Sequence, residues 1–132
     1  MSLLTSAVSM TKAMVQIDST DPGTYEKAMA DWIKQQLFDL SNVLITRENV
    51  LPGRPNLMAE IPGPKQFPAL VMICHMDTVV IGDGWTLPPF EAIEKDGKIY
   101  GRGACDMKSG LACCLSAFIM AARTLHASGQ AP

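Results

Sequence analysis

The sequence predicts an α/β fold, a mixed sheet flanked by helices, and three observations predict it. Apolar residues recur at helical spacing near both ends of the chain, short strand-like runs lie between them, and Ala69–Cys74 is a continuous apolar run suited to a strand buried on both faces. With 132 residues, 48% of them hydrophobic, the chain can bury a core of its own and reads as one domain spanning residues 1–132.

Taken in order, Leu4, Ala7, Val8, Met14 and Val15 predict an amphipathic helix over Leu3–Ile17. Ser19-Thr20-Asp21-Pro22 forms a turn with helix-starting chemistry, and Tyr25, Met29, Trp32, Ile33 and Leu37 carry a second helix to about Leu40. Two strands, Asn42–Val50 and Asn56–Ile61, flank the breaker Leu51-Pro52-Gly53-Arg54-Pro55. Pro62, Gly63, Pro64 and Pro68 mark a loop before the apolar run at Ala69–Cys74, the expected central strand. Met76–Pro89 is irregular, and Asp96-Gly97 predicts a tight hairpin between Phe90–Lys95 and Lys98–Arg102, because both turn residues tolerate positive φ. Met107–Leu125 reads as a helix apolar on nearly every side, one that expects cover from both sides, ahead of a Gly129 and Pro132 tail.

Composition excludes several roles. A net charge of −2 supplies no basic field for nucleic acid or anionic lipid. The longest apolar stretch, Leu111–Ala122, falls short of the roughly 20 residues that cross a bilayer, and no basic region precedes an N-terminal apolar run, so no membrane partner and a cytoplasmic location are expected. Cys74, Cys105, Cys113 and Cys114 lack the spacing of a structural zinc site and read as free, packed thiols.

Chemistry concentrates in two places. His75 and Asp77 lie two apart at the end of the apolar run, so in extended backbone they share a face while Cys74 points away. A metal-bound imidazole commonly gives its other ring N–H to a carboxylate, and Asp77 can serve His75 in that way. Asp106 sits in the glycine-flanked stretch Gly101–Gly110 at the mouth of the last helix, where a carboxylate either binds a metal or caps the helix. His126 is a surface residue near a helix C-terminus, since 20 helical residues separate it from Asp106 by about 30 Å. Lys108 and Arg102 read as solvated or structural.

Together, Ile73-Cys74-His75-Met76-Asp77-Thr78-Val79, Trp85–Phe90 and Asp96–Gly110, with Asn56-Leu57-Met58-Ala59 upstream, resemble the co-catalytic metallopeptidase and deacylase family of acetylornithine deacetylase, succinyl-diaminopimelate desuccinylase, aminoacylase and carboxypeptidase G. The resemblance implies a zinc-exopeptidase-like catalytic domain of which these residues form the N-terminal portion. It also implies two zinc ions per complete site, with cobalt or manganese acceptable to the same donors. His75 would bind one metal, Asp106 would bridge two, and Asp77 would serve catalysis by orienting His75. The implied substrate is an N-acyl amino acid or small peptide.

Ser109 stands where many relatives have glycine. The family's Glu-Glu pair, further acidic ligand, lid or dimerisation domain and final ligand histidine are not assigned in this sequence, which predicts a truncated chain inactive on its own. The alternative is a non-catalytic module that associates with itself or with a complementing chain through an uncovered sheet edge.

Overall fold

The computed structural model describes residues 3–64 and 70–130. Helix α1 (Leu3–Val15) leads through strand β1 (Thr20–Asp21) to helix α2 (Lys27–Gln36), then to strands β2 (Leu44–Leu51) and β3 (Arg54–Glu60). Strand β4 (Thr78–Val79), the hairpin β5 (Ile93–Lys95) and β6 (Lys98–Tyr100), and helix α3 (Ser109–Ser128) complete the order. The fold class is mixed α/β, as expected.

The helices form where burial matches a 3.6-residue period. Ala7, Thr11, Met14 and Val15 face inward from α1, and Met29, Ala30 and Ile33 from α2, with Leu37 following just past its end. From α3 the inward stripe is Ala112, Leu115, Ser116, Ile119 and Ala122. The core lies among these three helices and the inner sides of β2 and β3, where Ile45, Leu57 and Ala59 pack against it. Gly129, at φ 65, closes α3 by handing its N–H to the His126 carbonyl. Residues 104–128 are long and apolar enough to cross a bilayer by length and composition, but the inward stripe of α3 packs beside Met14 and Met29 in the core.

The sheet is fragmented. β1 pairs with β4 in parallel, and β2–β3 and β5–β6 are separate antiparallel pairs. The β5–β6 turn forms as the sequence predicts, with Asp96 at φ 52 and Gly97 at φ 70.

The expected central strand differs. Residues 70–77 have no strand neighbour among the described residues, and Leu70 and Ile73 are 75% and 87% exposed. A continuous apolar run becomes a buried strand only where other strands flank it and helices cover both faces. Here pairing begins at Thr78, whose N–H donates to the Ser19 carbonyl at 3.0 Å. Pro68 and Ala69, at the start of that segment, and Pro132 lie outside the described residues.

Candidate metal centre

Two short backbone segments bring the chemistry together. The β1–β4 pairing fixes Thr78 beside Thr20 and so anchors the residues just before it, His75 and Asp77, at the edge of the helical core. Asp106 arrives from the other side on a wide turn, Ala104–Lys108, which opens at Gly103. Gly103 has φ 78, and a Cβ there would meet Thr78 Cγ2 at 2.5 Å, so the turn can approach β4 only without a side chain.

The helix begins two residues later than the sequence predicts. Asp106 itself is extended (φ −122, ψ 101), the Asp106–Met107 peptide is cis, and Lys108 occupies the N-cap of α3. Its carboxylate therefore does not cap the helix and faces His75.

The structure places His75, Asp77 and Asp106 in one cluster. His75 Nδ1 lies 3.0 Å from the Asp77 carbonyl oxygen and 3.3 Å from its carboxylate, while Nε2 lies 2.9 Å from Asp106 Oδ1. The hydrogen bond to Asp106 raises the pKa of His75 above its ordinary value, burial opposes this, and the Asp77 backbone and both negative charges add to the rise. In this geometry a proton on Nε2 holds imidazole and carboxylate together.

That donor set fits a divalent cation. Two ligands at about 2.0–2.1 Å from a tetrahedral zinc stand roughly 3.3 Å apart, so His75 Nε2 and Asp106 Oδ1 need part by only a few tenths of an ångström. The Asp106 side chain is 88% exposed and so free to do this. Imidazole plus carboxylate suits zinc, cobalt or manganese alike.

The surrounding residues serve structure. Lys108 is buried with its amine donating to the Ile17 carbonyl at 2.7 Å, and burial pushes its pKa down to about 8 against the opposing pull of Asp18. It is thus structural and not solvated. Arg102 donates to the Ile81 carbonyl and stacks over Trp85 at 5.2 Å, knitting together the loop before β5. Burial, together with the neighbouring Cys114, pushes the Cys74 thiol up to about 11, which leaves it protonated and a poor ligand. His126 is exposed at the far end of α3.

Sequence reasoning missed a second acidic group. Asp21 and Glu26 bring carboxylate oxygens within 4.8 Å of that of Asp77 and of each other. Arg54 answers their charge, with Nη2 at 2.6 Å from both Asp21 Oδ2 and Glu26 Oε1. The sequence offers no local signal for this, because Asp21 reads as part of a turn and Arg54 as part of a strand breaker.

The family model described as "Peptidase family M20/M25/M40" matches residues 71–131, which include all three clustered residues. A probable succinyl-diaminopimelate desuccinylase of Staphylococcus epidermidis (strain RP62A) is 39% identical over 99 residues, covering 72% of this chain and 23% of that protein. One of Staphylococcus aureus (strain MRSA252) is 42% identical over 87 residues, 64% of this chain and 21% of that protein. The succinyl-diaminopimelate desuccinylase of Gluconacetobacter diazotrophicus is 46% identical over 82 residues, 58% of this chain and 21% of its own length. The chain spans less than a quarter of the length of these relatives, and its similarity to peptidase family M20/M25/M40 is carried by residues 71–131, the stretch that holds His75, Asp77 and Asp106.

Proposed function

We propose that His75 and Asp106 supply part of a two-zinc centre in a hydrolase that cleaves the amide bond of an N-acyl amino acid or small peptide. Residues 1–132 are read as the N-terminal part of its catalytic domain. The observation that carries this reading is the His75 ring held between Asp77, whose carbonyl and carboxylate both face Nδ1, and the Asp106 carboxylate at Nε2, with the Asp106 side open to solvent. The names of the curated relatives support an N-succinyl amino acid as the substrate class.

Asp77 has a defined task in this scheme. With its carbonyl at 3.0 Å and its carboxylate at 3.3 Å from Nδ1, Asp77 can accept the Nδ1 proton once a cation displaces the one on Nε2, so that the Nε2 lone pair would face the cation. Asp106, with two carboxylate oxygens and an exposed side chain, can reach a second cation. Metal bound there would polarise the scissile carbonyl and acidify a water. A carboxylate positioned as general base is not assigned among the described residues, so the 132-residue chain by itself is expected to show no turnover. Free thiols at all four cysteines accord with a reducing, cytoplasmic setting.

Calorimetric titration of the metal-free chain with zinc tests the proposal. The wild type is expected to bind, and His75→Ala and Asp106→Asn each to weaken binding by at least 100-fold while leaving the helical circular dichroism intact. Equal affinity in wild type and both variants would sink it.

A second reading has its own observation. Leu70, Val71, Met72 and Ile73 form a consecutive exposed apolar strip without strand partners among the described residues, which favours association of this chain with a copy of itself or with a complementing chain.

A further inference from the structure

Four separate pieces of chain meet behind His75. Asp21 comes from β1, Glu26 from the residue ahead of α2, Arg54 from the start of β3, and Asp77 from the residue ahead of β4. The guanidinium of Arg54 donates from Nε to both Glu26 oxygens at 3.2 Å and from Nη2 to Oε1 at 2.6 Å, reaches Asp21 at 2.6 Å, and lies over the Tyr25 ring at 5.1 Å. Gly53, at φ 77, and Tyr25, at φ 59, shape the two turns that bring ring and guanidinium together.

The charges are unequal. Three carboxylates have oxygens within 4.8 Å of one another, and one guanidinium stands among them. Without it, like charges at that separation repel one another with no cation among them. The relief falls on the side chain that can move. Glu26 is 9% exposed and walled in, whereas Asp77 is 37% exposed and can rotate toward water. That rotation would take its carboxylate off His75 Nδ1 and leave only the backbone carbonyl there.

We propose that Arg54 is a positioning residue for the metal centre: by neutralising Asp21 and Glu26 it keeps the Asp77 carboxylate on His75. It touches neither metal nor substrate in this role and acts through Asp77. The effect on metal affinity rests on the reading of His75 as a ligand, while the effect on the imidazole itself does not.

The test uses Arg54→Gln, Arg54→Lys, Asp77→Asn and the double variant R54Q/D77N in the full 132-residue chain. Zinc affinity is read by competition with a chromophoric chelator. The His75 tautomer is read from ring nitrogen chemical shifts in metal-free protein, at an alkaline pH where the ring is neutral. R54Q and D77N are each expected to weaken zinc binding about tenfold. The double variant should be no weaker than D77N, and R54K should recover most of the loss.

In the neutral wild-type ring the proton is shared between Nδ1, facing Asp77, and Nε2, facing Asp106; in R54Q it is expected to shift toward Nε2, and in R54K to shift the same way by less. A folded R54Q with wild-type affinity and wild-type ring shifts overturns the proposal, as does a double variant whose loss is the product of the two single losses. Should R54Q fail to fold, an unmoved ring signal in R54K overturns it. If the wild type binds no zinc, the metal-centre reading fails while the ring shifts still decide the role of Arg54.

Discussion

Gly103 shows how a residue with no chemistry of its own can decide where a ligand stands. A methyl group there would overlap Thr78 Cγ2 at 2.5 Å and crowd the Lys108 side chain at 3.2 Å, on a backbone already at φ 78. Gly103→Ala is therefore expected to cost about 1–3 kcal/mol in chemical denaturation. It should also displace Asp106, three residues on, so that zinc affinity falls together with stability; unchanged affinity would detach the turn from the site. At this scale the sequence was largely legible. H-x-D spacing brings His75 and Asp77 together through local geometry alone, and glycines around Asp106 announce a close approach. Arg54 and its two partners were not legible, because their meeting depends on β3, β1 and the start of α2 docking across large separations in sequence.

Among the elements, α3 sets the strongest packing constraint. Leu115 and Ile119 lie in the core with Met14, Met29 and Ile33, so Leu115→Ala is expected to cost about 2–5 kcal/mol. Met120→Ala, on the exposed side of the same helix, should fall within about 0.5 kcal/mol. Denaturant midpoints of the two variants check the contrast, and equal losses would mean that the helix buries a different face. The three helices and the Asp96-Gly97 hairpin were readable in advance because their signals are local: a repeat of 3.6 residues and a two-residue turn. The run through Ile73 was not, because apolar composition says that a segment seeks cover without saying which strand supplies it. The start of α3 moved from Met107 to Ser109 for a related reason, since Asp106 leaves helical backbone to face His75.

For the molecule as a whole, the exposed strip at Leu70–Ile73 is the feature on which the association reading rests. Backbone without strand partners, beside apolar side chains, favours pairing with another chain. Light-scattering mass across a concentration series is expected to rise above 14.3 kDa for the wild type, and Val71→Lys with Ile73→Lys to return it to the monomer value. A wild type that stays monomeric throughout would remove the association reading.

The buried amine that ties Lys108 to Ile17 bridges 91 positions along the chain, while His75 and Asp106 stand 31 apart. Closing so long a loop costs entropy that only the assembled helices can offset. Any zinc affinity of the proposed His75–Asp106 centre is therefore expected to appear only after the contact between Lys108 and Ile17 has formed. Refolding followed with a zinc-sensitive dye beside helical circular dichroism would check that order; a dye response that precedes the helical signal would contradict it.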